Sequence, residues 1–397
     1  MEKILQAAKR LQNELVGHRR YLHENAETGF QIDKTYDYIK RTLQSYGYNP
    51  KQCGRAGLVA TVGRKKGKTL LLRADVDGLP IAEKTGLVYA CKNGRMHASG
   101  HDMHATMLLG AAKLLKAYEK DLPCRVKLLF QPAEELLEGA KDVIDGGVLD
   151  DPKPAAAVML HVLTATYLPT GTAVVASGGV SAPAADFFHI KIQGKGCHGA
   201  APWKGVDALA VGAHVLLALQ EISARELAPS QPAVLTVGSV QSEGADNAIA
   251  DSVVLKGTLR AFDEGVRKQV KKRVEQITKH LARGFRATAE VVYNGGCPTL
   301  VNDGALSNFT EKILRDVLGE GAVFTSESLG GDVRENSGGS EDFAYISHKI
   351  PSVMVALSAG QQAEGYVYPL HHPKAAFDEG ALFVGSAIYT ASALSMR

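Results

Sequence analysis

Apolar residues in the first part of the chain follow two periods. Residues about 2–23, 33–46, 104–119 and 138–147 place them at helical spacing. In contrast, Thr69-Leu70-Leu71-Leu72, Val126-Lys127-Leu128-Leu129-Phe130 and Ala156-Ala157-Val158-Met159-Leu160 are short, nearly continuous apolar runs. Such runs, separated by helices, predict a mostly parallel sheet with helices on both faces, in which ligands collect at the carboxyl ends of the strands. Positions 183–294 read differently. They give a strand (Phe187 to Ile192), a helix (Asp207 to Glu221), two strands (Ala233 to Gln241, Ser252 to Arg260), a helix (Asp263 to Leu281) and a strand (Ala289 to Tyr293). That βαββαβ order predicts an inserted ferredoxin-like α+β module. Helix and strand patterns then resume at Leu306 to Leu318, Ser352 to Leu357 and Ala381 to Leu394. The expected organisation is an α/β domain of residues 1–182 and 295–397, interrupted by a smaller domain of residues 183–294.

Composition narrows the function classes. At 397 residues the chain is long enough for two domains. A net charge of +3 argues against nucleic acid and anionic membranes as partners, and the most basic stretch, Arg267 to Arg273, falls on the amphipathic helix. No apolar run approaches a membrane span, and the N-terminus is charged rather than leader-like. Five cysteines (Cys53, Cys91, Cys124, Cys197, Cys297) are scattered and never in a Cys-x-x-Cys pair, which points to a reducing, cytoplasmic setting.

The residues that follow the strands carry the chemistry. Arg73-Ala74-Asp75-Val76-Asp77 follows the first run, Glu134-Glu135 the second and His161 the third. Contact with water explains any one of these, but three together favour a shared site. Between the first two lies Met96 to His104, with His97, His101, His104 and Asp102 within eight positions. Imidazoles and a carboxylate at the mouth of a helix suit a transition metal; the alternative is capping by Ser99 or Asp102 with solvated histidines. Adjacent glutamates point in different directions, so one can bind metal while the other handles a proton. His371-His372 sit in a loop bounded by Pro369 and Pro373, and Ser340-Glu341-Asp342-Phe343 follows Gly338-Gly339, either as a helix cap or in direct contact with a ligand. In the insert, glycines of Gly194-Lys195-Gly196-Cys197-His198-Gly199 present His198, an oxyanion donor or a turn residue. Asn247 and Arg260 are further polar candidates, Arg260 because a guanidinium can clamp a carboxylate.

Together these segments resemble the dinuclear metal amidohydrolases and peptidases that include N-acyl-amino-acid amidohydrolases. The closest branch holds hippurate hydrolase, indole-acetyl-amino-acid hydrolases and N-acetyl-diaminopimelate deacetylase. The motifs run from His18-Arg19-Arg20-Tyr21-Leu22-His23, through Arg73 to Pro80, the His-rich segment, Gln131 to Glu135 and the His198 loop, to His371-His372-Pro373. The resemblance implies two divalent ions (Zn, Mn, Co or Ni) held by His101, Glu135, His161 and His371. It makes Glu134 the general base toward a metal-activated water and puts Asp75 behind a ligand or the base. His198, Asn247 and Arg260 would be lid residues, with Asn247 and Arg260 holding the substrate's polar end. It also implies an N-acyl amino acid or small peptide as substrate and a homodimer or higher homo-oligomer through the lid.

One position departs from that branch, which carries a metal-binding cysteine where this chain has Ser99. A hydroxyl stays protonated near neutral pH, so the exchange removes a negative charge and a soft donor and favours harder ions such as Mn²⁺. Two metals, one tightly held metal or an impaired site would each follow. Three readings therefore stand: an amidohydrolase, a dipeptidase or carboxypeptidase on the same scaffold, and a silent binding protein.

Overall fold

The structure, a computed structural model, describes residues 2–63, 67–330 and 339–396. Gly338, named above with Gly339, lies outside the described residues. Contacts divide the chain into two compact units. The first runs from the N-terminal residues to Ser181 and resumes at Val301; the second holds Ala182–Leu300.

The strands are β1 (Lys51–Cys53), β2 (Gly57–Gly63), β3 (Thr69–Asp75), β4 (Arg125–Gln131), β5 (Ala156–Leu163), β6 (Ala173–Val175), β7 (Gly179–Ala182), β8 (Ala184–Gln193), β9 (Cys197–His198), β10 (Ala233–Ser242), β11 (Ala248–Ile249), β12 (Ser252–Ala261), β13 (Thr288–Cys297), β14 (Leu300–Asn302), β15 (Val323–Thr325) and β16 (Ser352–Ser358). The main helices are α1 (Glu2–Lys9), α2 (Gln12–Glu24), α3 (Asp33–Ser45), α4 (His101–Ala117), α5 (Gly139–Asp145), α6 (Ala208–Glu221), α7 (Glu264–Gly284), α8 (Gly304–Leu318) and α9 (Leu382–Ser395).

In the first unit eight strands form one sheet in the order β1-β2-β4-β3-β5-β16-β6-β15. The pairs β3/β4, β3/β5, β5/β16 and β6/β15 are parallel, and β1/β2, β2/β4 and β6/β16 are antiparallel. The mostly parallel sheet expected from the apolar runs is present, with antiparallel flanks. β3 is buried at every position and β4 at all but its first, so these strands are covered on both faces and show no alternation. Their apolar side chains join Met107, Leu108 and Ala111 of α4 and Ile388 and Tyr389 of α9 in one core. The Tyr389 hydroxyl donates to the Arg73 carbonyl at 2.6 Å and accepts the Leu160 N–H at 3.0 Å, tying α9 to two of the strands that carry the site.

The helical spacing across 2–23 resolves into α1 and α2, with a break at Arg10-Leu11. The two halves bury their faces in different places. Ile4 and Ala8 pack with Leu114, Ile313 and Ala387 in a satellite cluster, whereas Leu15 and Leu22 enter the main core. A single straight helix would have to serve both.

The second unit is a four-stranded antiparallel sheet in the order β10-β12-β8-β13, with α6 and α7, which is the ferredoxin-like pattern expected. Phe188, Ile190 and Ile192 of β8 pack with Val211 and Val215 of α6 and Val270 and Val274 of α7. Asp207 and Asp263 cap the two helices through the N–H groups of Ala210 and Val266. Among the described residues no helix is long and apolar enough to cross a membrane.

Candidate active site

Three strand ends and one helix start build the site in the first unit. β3 ends at Asp75, with Asp77 two residues on; β4 leads into Glu134 and Glu135; His161 lies within β5; and α4 begins at His101. Gly100 makes this possible. Its φ is +83°, and a Cβ there would sit 2.4 Å from Val162 Cγ2, so only glycine lets α4 start against the end of β5. His104 then fastens the two elements: its Nε2 accepts the Val162 N–H at 2.8 Å and its Nδ1 donates to Asp75.

The helix was expected from about residue 104. Its actual start at His101 brings His101 and His104 onto one face, with ring centroids 5.3 Å apart. No side chain caps α4, so the capping alternative for Ser99 and Asp102 does not hold. Ser99 turns to Glu135 and His371, and Asp102 accepts from Arg19 Nε at 2.8 Å and His23 Nδ1 at 2.9 Å.

His101 carries the strongest signal. Its Nδ1–H donates to the Asp77 carbonyl at 2.8 Å, which leaves Nε2 as the ring nitrogen that can turn to a metal. That Nε2 is buried and has no hydrogen-bond partner among the described residues. It faces Asp75 Oδ2 at 3.7 Å, Glu134 Oε2 at 3.9 Å and Glu135 Oε1 at 3.9 Å. These separations are too long for hydrogen bonds. Two ligands about 2.1 Å from one ion at a tetrahedral angle sit roughly 3.4 Å apart, so the spacing fits donors arranged around a divalent cation.

The electrostatics agree. Burial opposes charge on His101, yet Asp75, the Asp77 hydrogen bond and Glu135 push its pKa up to about 10: the pocket demands a cation. At Asp75, His101, Arg73 and His104 outweigh burial and hold the carboxyl well below the usual range. Burial lifts Glu135 above its ordinary value. His161 is pushed down to about 3, by burial first and then by His104, so it is neutral, as a ligand must be. Its Nδ1–H donates to the Val162 carbonyl at 2.8 Å, which leaves Nε2 as the donor atom, and its ring lies 6.1 Å from that of His101.

Ser99 Oγ contacts Glu135 Oε1 and lies 2.7 Å from His371 Nε2, which is itself 3.7 Å from Glu135 Oε1. His371 has a φ of +64°, and Ala133 (+56°) and Leu137 (+55°) bracket the two glutamates. Non-glycine residues held in the left-handed region concentrate where structure serves function, and three of them meet here.

Asp77, in sequence one of several ionisable residues after the first apolar run, positions three site residues. Its carbonyl holds His101, its Oδ1 accepts the Glu134 N–H at 3.0 Å and its Oδ2 the Glu135 N–H at 3.4 Å. The Asp75-x-Asp77 spacing at a strand end was the available signal. Behind it, buried Arg73 reaches Asp75 at 2.7 Å, Asp342 at 2.8 Å and Gln131 at 3.0 Å, and Asp342 also accepts from Gln131 and the Ala140 N–H. Asp342 thus backs the site. Gly139 is required beside it, because a Cβ there would meet the Pro132 carbonyl at 1.7 Å. His97 packs toward His23 with ring centroids 6.5 Å apart, and His372 stacks on Tyr368, so neither joins this group.

His198, Asn247 and Arg260 belong to the second unit. His198 pairs with Ala248 between β9 and β11, and the Asn247 carbonyl accepts the Gly199 N–H at 2.7 Å, so the two residues are neighbours. His198 Nδ1 accepts the Ala200 N–H at 3.1 Å, which leaves an exposed Nε2–H to donate. Arg260 lies over the Phe187 ring at 5.4 Å and donates to the Leu259 carbonyl. Burial lowers its pKa.

Comparison with known proteins places this geometry. Residues 71–395 match the model of peptidase family M20/M25/M40. The chain is 37% identical over 379 residues to an N-acetyl-L-cysteine deacetylase of Bacillus subtilis, covering 95% of this chain and 86% of the relative. It is 31% identical over 403 residues to thermostable carboxypeptidase 2 of Saccharolobus solfataricus, covering 99% and 98%. The crystal structure of the Bacillus subtilis YXEP protein, a dinuclear metal-binding peptidase of the M20 family, superposes with a TM-score of 0.79 at 31% identity over 97% of this chain and 98% of that one.

Proposed function

Because the chain belongs to peptidase family M20/M25/M40, we propose that it is a metal-dependent hydrolase that cleaves the amide bond of N-acylated amino acids. The observation that carries this reading is His101 Nε2, a buried ring nitrogen that has no hydrogen-bond partner among the described residues and faces three carboxylates. The deacetylase relative supports an acyl amino acid as substrate, and the carboxypeptidase relative supports a peptide as the second reading. Acetyl- and benzoyl-amino acids assayed beside dipeptides and longer peptides decide between them. The first reading expects the highest kcat/KM on the acyl amino acids, and faster peptide cleavage would replace it. Both relatives are hydrolases, which weighs against the silent binding protein.

Two divalent ions would be held by His101, Glu135, His161 and His371. When bound, they supply positive charge that acidifies a water and polarises the acyl carbonyl. Glu134, buried and held by Asp77, takes the proton from the attacking water and returns it to the leaving nitrogen. Asp75 keeps His104 in place and faces His101 with its other oxygen. His198 gives its exposed Nε2–H to the developing oxyanion, and Asn247 and Arg260 take the substrate's polar end. The second unit serves as the lid.

The assigned donors are imidazole and carboxylate with no thiolate, a harder set than one with the cysteine, so its preference lies further toward Mn²⁺ or Co²⁺ relative to Zn²⁺ than that of a cysteine-bearing site. Ser99→Cys restores a soft donor beside Glu135 and His371 and should move relative affinity toward Zn²⁺ by about tenfold or more, the scale on which changes near a metal act. Competition dialysis with metal analysis reads this directly; unchanged preference and stoichiometry would remove Ser99 from the metal shell.

The homo-oligomer contact is assigned to the second unit. Its edge strand β10 exposes Val234 and Val240, and α6 exposes Leu209 and Leu217. Sedimentation should find a dimer that Leu217→Glu with Val240→Lys reduces to monomer; a monomeric wild type, or a dimer untouched by the pair, contradicts the assignment. The five free cysteines fit a cytoplasmic setting.

A further inference from the structure

At the far end of β4 from Glu134 lies a second candidate site. Lys127 is an ammonium within the apolar run Val126-Lys127-Leu128-Leu129-Phe130, and its side chain is only 3% exposed. Its Nζ donates to the Val148 carbonyl at 2.8 Å, and no carboxylate of the described residues lies within ion-pair distance. A buried charge is retained at a cost unless something compensates it, and one carbonyl leaves two N–H groups over. Lys127 lines a cavity of about 280 Å³. Gln52 and Thr61 add polar groups to the lining, and exposed Asp151 stands on it as well. Burial pulls Lys127 down from its ordinary value while Cys53, Asp150 and Asp151 pull it back, so the cation is stabilised only partly by its surroundings.

We infer that this cavity binds a small zwitterionic carboxylate, with the chemistry of a free amino acid: its carboxylate meets the buried Lys127 ammonium and its amino group meets Asp151. The lining carries two cations, buried Lys127 and exposed Lys51, and one exposed anion, Asp151, which disfavours a simple anion and gives an amino group its partner. The site is separate from the metal centre. Lys127 and Gln131 are four residues apart on β4, roughly 13 Å at strand rise, and Glu134 lies beyond. A physical link exists nonetheless. The first turn of α5 carries the Ala140 N–H that Asp342 holds, and the helix is followed directly by Gly146 to Val148 in the cavity wall. The inference is independent of the proposed reaction, although an amino acid is one product of that reaction.

The test is equilibrium dialysis of the metal-loaded protein with radiolabelled alanine, with acetate and inorganic phosphate as competitors. Lys127→Met keeps the apolar stem and removes the charge, and neither it nor Asp151→Asn touches the residues assigned to the reaction. Bound alanine per chain should fall by one in Lys127→Met, and this site should weaken up to about fivefold in Asp151→Asn, the scale of an exposed ion pair. The Asp151→Asn measurement stands if Lys127→Met does not fold. An unchanged count in Lys127→Met, or unchanged affinity in Asp151→Asn, overturns the inference. Acetate or phosphate competing as well as alanine overturns the zwitterion assignment.

Discussion

Glu134→Gln is expected to lower kcat about a thousandfold while leaving metal content and fold intact. A positioned general base contributes roughly 10²- to 10⁴-fold, and an amide of the same shape cannot accept the proton. The backbone of this turn is held from behind: Asp77 grips the N–H groups of Glu134 and Glu135, so the turn survives the substitution. His101 Nε2 keeps Asp75 and Glu135 as its other neighbours. Turnover, metal analysis and thermal unfolding measured on the same preparation separate the possibilities. Loss of metal in parallel with activity would make Glu134 a ligand, and near-normal turnover would remove it from the reaction.

His101→Ala is expected to abolish activity together with metal content, and chelation of the wild type should do the same, reversibly. The metal-free pocket is a poor structure for any other purpose. It gathers Asp75, Glu134 and Glu135 around one imidazole, and in the absence of metal that imidazole carries a proton because the surrounding carboxylates raise its pKa to about 10. The sign of the pH dependence follows. Below about 10 a metal must displace the proton, so binding releases it, and apparent affinity should rise up to about tenfold per pH unit between neutral and mildly alkaline pH. Proton release measured in weak buffer during metal titration of the wild type checks this. Metal binding without proton release would mean that His101 is not the group being displaced.

Much of this site was legible in the chain because β-strands put ligands at their carboxyl ends. The apolar runs located β3, β4 and β5, and the ionisable residues after or within them are those that meet in space. Both glutamates reach within 3.9 Å of His101 Nε2, and Glu135 also meets Ser99 and His371. What could not be read was contact that depends on tertiary packing. Asp77 looks like a second acidic residue at a strand end until its carbonyl and both carboxylate oxygens are seen to hold other site residues. His104 looks like a third ligand, yet the Val162 N–H occupies its Nε2 and Asp75 its Nδ1. The start of α4 was misplaced because Gly100, in the left-handed region against Val162, begins the helix without a side-chain cap to announce it. The break between α1 and α2 was hidden for a related reason: both halves are amphipathic, and only the separate clusters they enter divide them.

The central claim is that His101, Glu135, His161 and His371 share metal ions. Anomalous-scattering maps from crystals grown with Mn²⁺ test it most directly. The account predicts two peaks in this pocket, each about 2.0–2.2 Å from ligand atoms, one of them at His101 Nε2. An active crystal with no peak there, or with its metal bound elsewhere, would contradict it.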